Sequence, residues 1–318
     1  MGQQLRWSIS RNQVLNTCER RYYFQYLLPS ALKSDNPELR EVAILKKLKT
    51  LPMWQGEIFH TAVARYLKHI QSGRYSSLPD SWVDWLQRKV QQEFDFSEKK
   101  KFRSNPWQLS QEGGLALFEH EYDHPLDADS CNRVIQTVKN YMNKFEQWAE
   151  AVELKQSIRS AKQVWIEPDI FKDKINFNIN HVDVVTKVDL AFLKNSKFEI
   201  YDWKSSKIQR HSSDDMSQAE FQAGVYQLWS HLTLQIPVEK ITSHLVYFGG
   251  ETVEQQSIPM SYSLKKQTLR LVRKNIEREL SFVNQQEDVE WNLNDLDYAS
   301  SCSSCRQCFF KRICRDKT

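Results

Sequence analysis

Cysteines near the two ends of the chain are the residues whose type and spacing point most clearly to chemistry. Cys18 lies near the start, and the end carries Cys302, Cys305, Cys308 and Cys314 in the spacing C-x2-C-x2-C-x5-C. Thiolates at this density select zinc or an iron–sulfur cluster over a hard cation. The tail can form a zinc knuckle by itself, or its last three cysteines can share a site with Cys18 and leave Cys302 spare. Spacing alone does not choose between these arrangements.

A second reactive group lies on a predicted hairpin in the middle of the chain. Two apolar runs flank a polar break at 194–197, which is typical of a β-hairpin. Antiparallel pairing brings Asp189 and Asp202 to neighbouring positions, and Lys204 points to the same face as Asp202 because side chains alternate along a strand. Carboxylate oxygens suit Mg²⁺ or Mn²⁺, so the hairpin predicts a divalent-metal site with a lysine beside it. A solvated charge pair is the ordinary alternative.

Two predicted helices carry residues that could complete such a site. His60 lies in the first turn of an apolar-periodic segment, where packing or capping is the commoner role of a histidine. Downstream, Ser217 and Glu220 have the form of a capping box. The helix that they open places Gln222 and Tyr226 one turn apart on one face. Taken alone, that pair would be ordinary surface or core.

In their order along the chain, these residues resemble a known family. Gly-x-x-x-His at 56–60, Asp189, Asp-x-Lys at 202–204 and Gln-x-x-x-Tyr at 222–226 are bracketed by one early and three late cysteines. This order is similar to that of the RecB-type branch of the PD-(D/E)XK nucleases, in particular its iron–sulfur members. These are the CRISPR-associated RecB-like exonucleases, the AddB nuclease domain and the single-strand exonuclease five. The resemblance runs from the first cysteine to the last.

The resemblance implies a role for each matching residue. A 4Fe-4S cluster would be held by Cys18, Cys305, Cys308 and Cys314. The ligands of Mg²⁺ or Mn²⁺ would be His60, Asp189, Asp202 and the backbone carbonyl of Trp203. Lys204 would be the catalytic lysine, and Gln222 and Tyr226 would orient it and contact DNA.

The same resemblance implies a fold and a function. We expect an α/β protein with a restriction-endonuclease-like core, in which helices flank a central mixed sheet, a helical insertion and a cysteine-ligated tail. The expected activity is that of a metal-dependent DNA nuclease, an exonuclease on single-stranded DNA or DNA ends, in which the cluster is structural. The alternative is a non-catalytic or weakly catalytic DNA-binding subunit of a helicase–nuclease, DNA-repair, CRISPR-adaptation or phage-defence complex. Helicase or CRISPR-adaptation proteins are the expected protein partners.

Composition agrees with this reading. The chain has 318 residues, of which 40% are hydrophobic, and a mean hydropathy of -0.63, as in soluble globular proteins. It contains no apolar run of about 20 residues, the length of a membrane span, and no apolar leader. We therefore expect a cytoplasmic protein with no membrane partner, whose cysteines bind metal rather than form disulfides. A third reading joins a zinc knuckle to an unrelated central domain.

Basic charge permits nucleic-acid binding but does not require it. The net charge is +4 and the isoelectric point is near 8.6, only mildly basic values. The run Lys99-Lys100-Lys101-Phe102-Arg103 interleaves cations with an aromatic residue, as a groove that follows phosphates would require. A solvated helix end explains it equally well.

Hydrophobic periodicity predicts four segments. Residues 1–52 carry the first cluster ligand, 53–160 are helical, 161–262 form the nuclease core, and 263–318 contain a final helix and the cysteine tail. Helices are predicted at 57–73, 80–103, 108–121, 130–153 and 217–233, with a last helix capped by Ser263. Strands are predicted near 163–167, 174–180, 182–193, 198–204 and 241–248.

Overall fold

The computed structural model describes residues 6–168, 175–208, 216–284 and 293–314, without the side chain of Cys302. The spare role predicted for Cys302 therefore lies outside the described residues. The chain divides into two compact units. The sheet unit is Met1–Ile9, Ile58–Asp80 and Val138–Asn284, and the helical unit is Ser10–Glu57, Ser81–Thr137 and Gln285–Thr318.

Helices and strands within the described residues have the following bounds. The helices are α1 (Ile9–Thr17), α2 (Glu19–Tyr22), α3 (Pro37–Leu45), α4 (Leu51–Gln71), α5 (Ser81–Glu98), α6 (Lys101–Ser104), α7 (Phe118–Glu121), α8 (Ser130–Gln147), α9 (Ala151–Ser160), α10 (Gln218–Thr233), α11 (Tyr262–Asn284) and α12 (Cys302–Arg306). The strands are β1 (Arg6–Trp7), β2 (Gln163–Ile166), β3 (Asn176–Ile179), β4 (Val182–Val185), β5 (Leu190–Lys194), β6 (Lys197–Lys204), β7 (Ile241–Tyr247) and β8 (Glu254–Pro259). Short 3₁₀ or π turns lie at Tyr23–Leu27, Pro106–Ser110, Val238–Lys240 and Leu293–Asp295.

The strands of the sheet unit form two sheets in the described part of the chain. A small sheet has the order β1-β4-β3, and a larger sheet has the order β2-β5-β6-β7-β8. The larger sheet is mixed, because β6 runs parallel to β7 while β2–β5, β5–β6 and β7–β8 are antiparallel pairs. The predicted α/β class with mixed sheets flanked by helices is confirmed.

The predicted hairpin is present with the predicted turn. β5 and β6 pair antiparallel from Leu190↔Tyr201 to Lys194↔Lys197. Both residues of the connecting turn, Asn195 and Ser196, have positive φ, at 49° and 61°. Two consecutive left-handed residues fit the right-handed twist of the flanking strands. This turn sets the register that places the acidic residues.

The continuous strand predicted at 182–193 is wrong. β4 ends at Val185 in the small sheet, and β5 starts at Leu190 in the larger one. Between them, the amide and the hydroxyl of Thr186 both donate to the carbonyl of Ile175. The apolar pattern concealed this change of sheet because both halves of the run are buried.

Both faces of the larger sheet are covered within the sheet unit. On one face, Trp203 of β6 packs edge-on against Phe145 of α8, with ring centroids 5.6 Å apart. On the other, Trp229 of α10 packs against Phe198 of β6 at 5.9 Å. α11 lies against α10 so closely that a methyl group at Gly224 would collide with the side chain of Thr268. Because strand side chains alternate, Asp202 and Lys204 point away from the Trp203 face and towards α10.

The helical unit has its own aromatic core. Its buried members include Phe24, Phe102, Phe118, Phe309 and Phe310. Phe24 stacks on Phe310 with centroids 5.5 Å apart. The N-terminal segment and the cysteine tail of this unit are therefore held together by packing as well as by any metal group.

Five helix predictions need correction. The helix predicted at 57–73 begins at Leu51, so His60 lies in its third turn rather than its first, and the helix predicted at 130–153 divides into α8 and α9. The predicted helix at 108–121 is wrong except for its last turn, because Gly113 has φ 84° and a side chain at Gly114 would collide with a backbone carbonyl. The predicted helix at 80–103 is interrupted by Lys100 at φ 45°. The cap of α11 is Ser261 rather than Ser263, since Ser261 Oγ accepts from the amide of Leu264 at 3.0 Å. No helix among the described residues is both long and apolar enough to span a membrane.

Candidate active site

Three acidic residues lie next to one another at one end of the larger sheet, one residue beyond the last pairs of β2 with β5 and of β5 with β6. The last ladder pairs are Ile166↔Leu190 between β2 and β5, and Leu190↔Tyr201 between β5 and β6. One residue further, Glu167 lies opposite Asp189, and Asp189 lies opposite Asp202. The amide of Glu167 donates to the carbonyl of Asp189 at 2.9 Å, which continues the ladder. The two aspartates are neighbours, as the hairpin predicted.

Asp189 is buried and each of its carboxylate oxygens has a partner. Oδ1 lies 3.0 Å from Nδ1 of His60 on α4. Oδ2 accepts a hydrogen bond from the backbone amide of Trp203 at 2.8 Å. These two contacts fix the orientation of the carboxylate. The structure thus brings together His60, Asp189 and Trp203, three of the residues that the resemblance assigned to the metal.

Glu167 belongs to this site, although the sequence reasoning missed it. His60, Glu167 and Asp189 each offer a ligand atom, and those atoms all lie within 4.8 Å of one another. Glu167 also has a left-handed backbone, with φ 42°, a conformation that costs energy at a non-glycine residue and that clusters at functional sites. The available signal was an acidic residue directly after the apolar strand Val164-Trp165-Ile166.

Asp202 lies in a second cluster, with the lysine and the two helix residues. Nζ of Lys204 is 2.6 Å from Oδ2 of Asp202 and donates to Oε1 of Gln222 at 2.7 Å. Nε2 of Gln222 donates to the hydroxyl of Tyr226 at 2.6 Å and to Oδ1 of Asp202 at 3.3 Å. The Tyr226 hydroxyl donates to the same Oδ1 at 3.3 Å. The four side chains form a closed ring of polar contacts.

α10 positions its part of this ring through its first turn. Ser217 Oγ accepts from the amide of Glu220 at 3.2 Å, and Glu220 Oε2 accepts from the amide of Ser217 at 2.8 Å. The predicted capping box is therefore confirmed. Starting the helix at this point places Gln222 and Tyr226 on the side that faces β6. The side chain of Tyr226 is buried, so its hydroxyl is kept from bulk water.

Electrostatics at this end of the sheet favour a bound cation. Burial raises the pKa of Asp202, and the field of Asp189 raises it further, against the opposing effect of Lys204. Burial and the field of Asp189 also raise the pKa of Glu167. For His60, burial acts to lower the pKa, but Asp189, together with Asp202 and Glu167, outweighs it and the pKa is raised. Crowded carboxylates that are costly to ionise are the environment that a divalent cation relieves.

The donor set fits a hard divalent ion. Carboxylate oxygens at one end of three neighbouring strands and one imidazole nitrogen suit Mg²⁺ or Mn²⁺ better than a soft metal. Of the residues assigned by resemblance, Trp203 is present at the site through its amide, which bonds Asp189. A ligand role for its carbonyl stays a prediction.

The four cysteines assigned to a cluster all belong to the helical unit. Cys18 precedes α2, and its sulfur accepts from the amide of Arg21 at 3.4 Å. Burial raises the pKa of the Cys308 and Cys314 thiols, although the buried Arg20 opposes this effect at Cys314. Among the described side chains, no three thiol sulfurs lie within 4.8 Å of one another.

Comparisons with known proteins agree with this geometry. A family model described as "PD-(D/E)XK nuclease superfamily" matches residues 6–315. No curated protein matches the sequence significantly. Among solved structures, a "Putative exonuclease" from Eubacterium rectale is similar at 14% identity and a TM-score of 0.36, covering 74% of this chain and 77% of that one. The structure of SSO0001 is similar at 14% identity and a TM-score of 0.29, covering 71% and 97%. At these scores the two structures carry no argument about function.

Proposed function

The chain belongs to the PD-(D/E)XK nuclease superfamily, and from that premise we propose that it is a metal-dependent DNA nuclease. The observation that carries the proposal is that three neighbouring acidic residues, the acidic row, lie beside a lysine that is held in place. Glu167 directly follows β2, Asp189 directly precedes β5 and Asp202 lies on β6, and Nζ of Lys204 is 2.6 Å from Asp202. Members of this superfamily are nucleases that use divalent metals, so the expected substrate is DNA.

The proposed metal ligands are His60, Glu167, Asp189 and Asp202, with the carbonyl of Trp203 as a further one. When bound, the ion would activate a water molecule for in-line attack and offset negative charge on the phosphate. The chain itself supplies the orientation of the ligands. The amide of Trp203 holds one oxygen of Asp189 at 2.8 Å, which leaves the carboxylate one fixed direction towards His60 and Glu167. Such hydrogen bonds to ligands strongly influence metal affinity.

Lys204 has a separate role in this proposal. Its ammonium is held between Asp202 and Gln222 and offsets the charge that develops on the attacked phosphate. A preorganised cation of this kind acts without reorganisation at the moment of reaction. Gln222 and Tyr226 are positioning residues, because they contact Lys204 and Asp202 rather than a reacting atom.

A structural 4Fe-4S cluster held by Cys18, Cys305, Cys308 and Cys314 is the second part of the proposal. All four cysteines belong to the helical unit, and Cys308 and Cys314 pack against its aromatic core. The buried guanidinium of Arg20 near Cys314 supports a negatively charged occupant.

We propose exonuclease action on single-stranded DNA or DNA ends. The test is incubation of the iron-replete protein with Mn²⁺ and four substrates: single-stranded and double-stranded linear DNA labelled at either end, and both circular forms. The proposal expects cleavage of linear single strands and resistance of single-stranded circles. Cleavage of circles would make the enzyme an endonuclease. No cleavage of any substrate at full metal content would favour the non-catalytic subunit.

A further inference from the structure

Helix α11 is strongly basic. Between Tyr262 and Asn284 there are six basic and two acidic residues, a net charge of +4. The entire chain has 44 basic and 40 acidic residues, which is also a net charge of +4. The remaining 38 basic and 38 acidic residues therefore cancel. α11 is thus a strongly basic element of the sheet unit.

Most of the cations of α11 lie on the side of the helix that faces solvent. Lys266, Arg270, Arg273 and Lys274 are all exposed. The first three are spaced four and three residues apart and so share one face. The opposite face packs into the protein through residues with the same spacing, namely Thr268, Val272, Ile276 and Glu279.

In the described part of the chain, no carboxylate neutralises these exposed cations. Within the described residues, none of Lys266, Arg270, Arg273 and Lys274 has a salt bridge or a side-chain hydrogen bond. Cations elsewhere in the chain are paired with carboxylates, as in the basic run at 99–103.

In the run at 99–103, which the sequence suggested as a phosphate-binding groove, much of the charge is paired. Lys100 lies 2.7 Å from Asp123, and Arg103 pairs with Glu41 and Glu121. Phe102 is fully buried and cannot stack on a base. The run is therefore poorly suited to bind phosphates, because much of its positive charge is neutralised by carboxylates of the helical unit.

An exposed aromatic ring extends the cationic face of α11. Tyr262, its first residue, is 72% exposed, the largest value among the exposed large hydrophobic residues of the described chain. It precedes Lys266 by four residues and so lies on the same face. An unpaired aromatic ring in line with cations is the arrangement by which proteins hold single strands, through base stacking and phosphate contacts.

We propose that the exposed face of α11, formed by Tyr262, Lys266, Arg270 and Arg273, binds single-stranded nucleic acid. The proposal rests on the proposed nuclease function for the identity of the partner. Charge complementarity to phosphate supports it, and Tyr262 favours an unpaired strand because a base must be free to stack. A membrane surface is disfavoured, since an interfacial helix needs an exposed apolar face, and the apolar face of α11 is buried.

The test compares matched variants for binding to a fluorescent single-stranded 20-mer in EDTA, by anisotropy at several salt concentrations. The triple variant Lys266→Gln, Arg270→Gln, Arg273→Gln removes three cations from α11. Its control, Lys162→Gln, Lys197→Gln, Lys240→Gln, removes three exposed cations from elsewhere in the sheet unit. We expect the α11 triple to weaken binding about tenfold or more and to reduce the slope of log K against log salt by about 2, at about 0.7 per contact. The control should change affinity less than twofold.

The stacking role of Tyr262 is tested by a second pair of matched variants. Tyr262→Ala should weaken binding about tenfold, within the range for loss of one stacked base, while Leu232→Ala removes another exposed hydrophobic side chain and should have no effect. Equal effects of the two triples, or wild-type binding by the α11 triple, would overturn the inference. The inference would also be overturned if the α11 triple variant lost binding to phosphatidylserine vesicles but bound DNA like the wild type.

Failure of the inference is distinguishable from failure of the proposed function. If the wild-type protein cleaves DNA with Mn²⁺ while the α11 triple binds the 20-mer normally, only the inference is wrong. If the wild-type protein binds the 20-mer through α11 but cleaves nothing, the nuclease proposal is wrong and the α11 surface stands.

Discussion

Nζ of Lys204 lies 2.6 Å from Oδ2 of Asp202, two residues earlier on the same strand. This contact links Asp202, one of the three acidic residues of the candidate site, to Lys204. The lysine is also held by Gln222 of α10. A single strand thus delivers both a proposed metal ligand and the charge proposed to stabilise the reacting phosphate. The predictions below separate these roles.

Replacing Lys204 tests the role of the cation. Lys204→Gln should lower kcat by about 10²- to 10³-fold, the usual loss on removing one preorganised donor to a developing charge. The melting temperature should also fall, because buried Asp202 loses its paired cation, so kcat is compared well below the melting temperatures of both proteins. Lys207→Gln, an exposed lysine three residues later, is the matched control. Equal loss in both variants would show a general charge effect instead.

Tyr226 tests the positioning role of α10. Tyr226→Phe keeps the buried ring and deletes the hydroxyl that bonds Asp202 and Gln222. We expect turnover to fall about tenfold, as for other groups that orient a ligand, with little change in melting temperature. Tyr226→Ala should also lose about 3 kcal/mol of stability, since it empties a buried aromatic site. If Tyr226→Phe cuts DNA as fast as the wild type, Tyr226 is only a core residue.

Glu167 gives a prediction in which stability and metal binding change in opposite directions. Its pKa is raised in the folded protein, so ionised Glu167 costs stability above its folded pKa. In EDTA at pH 7, Glu167→Gln should raise the melting temperature on the order of a degree. The same variant should gain less from added Mn²⁺, because it lacks one proposed ligand.

The pH dependence fixes the sign of this effect. Below the ordinary pKa of glutamate, 4.5, Glu167 is protonated in both the folded and the unfolded protein. The difference in melting temperature between Glu167→Gln and the wild type should therefore vanish there and grow as the pH rises. A variant that is less stable than the wild type at pH 7 in EDTA would contradict the electrostatic account. Thermal unfolding across this pH range measures it.

Much of the site was predictable because it is local in sequence. The turn at Asn195-Ser196 sets the register of β5 and β6, and that register alone brings Asp189 and Asp202 together. Likewise, a capping box starts α10 at a defined residue, and helical periodicity then places Gln222 and Tyr226 on one face.

The contributions that were missed depend on tertiary structure. Glu167 reaches the site only because β2 pairs with β5, and a partner strand more than 20 residues away is not specified by a local pattern. The end of β4 was hidden for the same reason, since both sheets bury apolar residues. At 108–121 a local signal did exist: adjacent Gly113 and Gly114, which favour a turn over a helix.

The cysteines provide a prediction that is independent of catalysis. Ala at Cys18, Cys305, Cys308 or Cys314 should remove the broad visible absorption and the iron, and should reduce solubility because metal binding and folding are coupled. Cys131→Ala is the matched control, a buried thiol elsewhere in the helical unit, and should retain full iron content. Cys302→Ala should also be tolerated. Zinc in place of iron, or an essential Cys302 with a dispensable Cys18, would contradict the assignment.

The most direct test of the central claim is the single-turnover rate of cleavage of an end-labelled single strand as a function of Mn²⁺ concentration, for wild type and Asp189→Asn. Asn keeps the size of the side chain and an oxygen for the Trp203 amide, but removes the charge beside His60. The account predicts a saturable, Mn²⁺-dependent rate for wild type and a rate at least about 10²-fold lower for Asp189→Asn at every concentration. Cleavage by Asp189→Asn at the wild-type rate, or equal wild-type cleavage in EDTA, would contradict it.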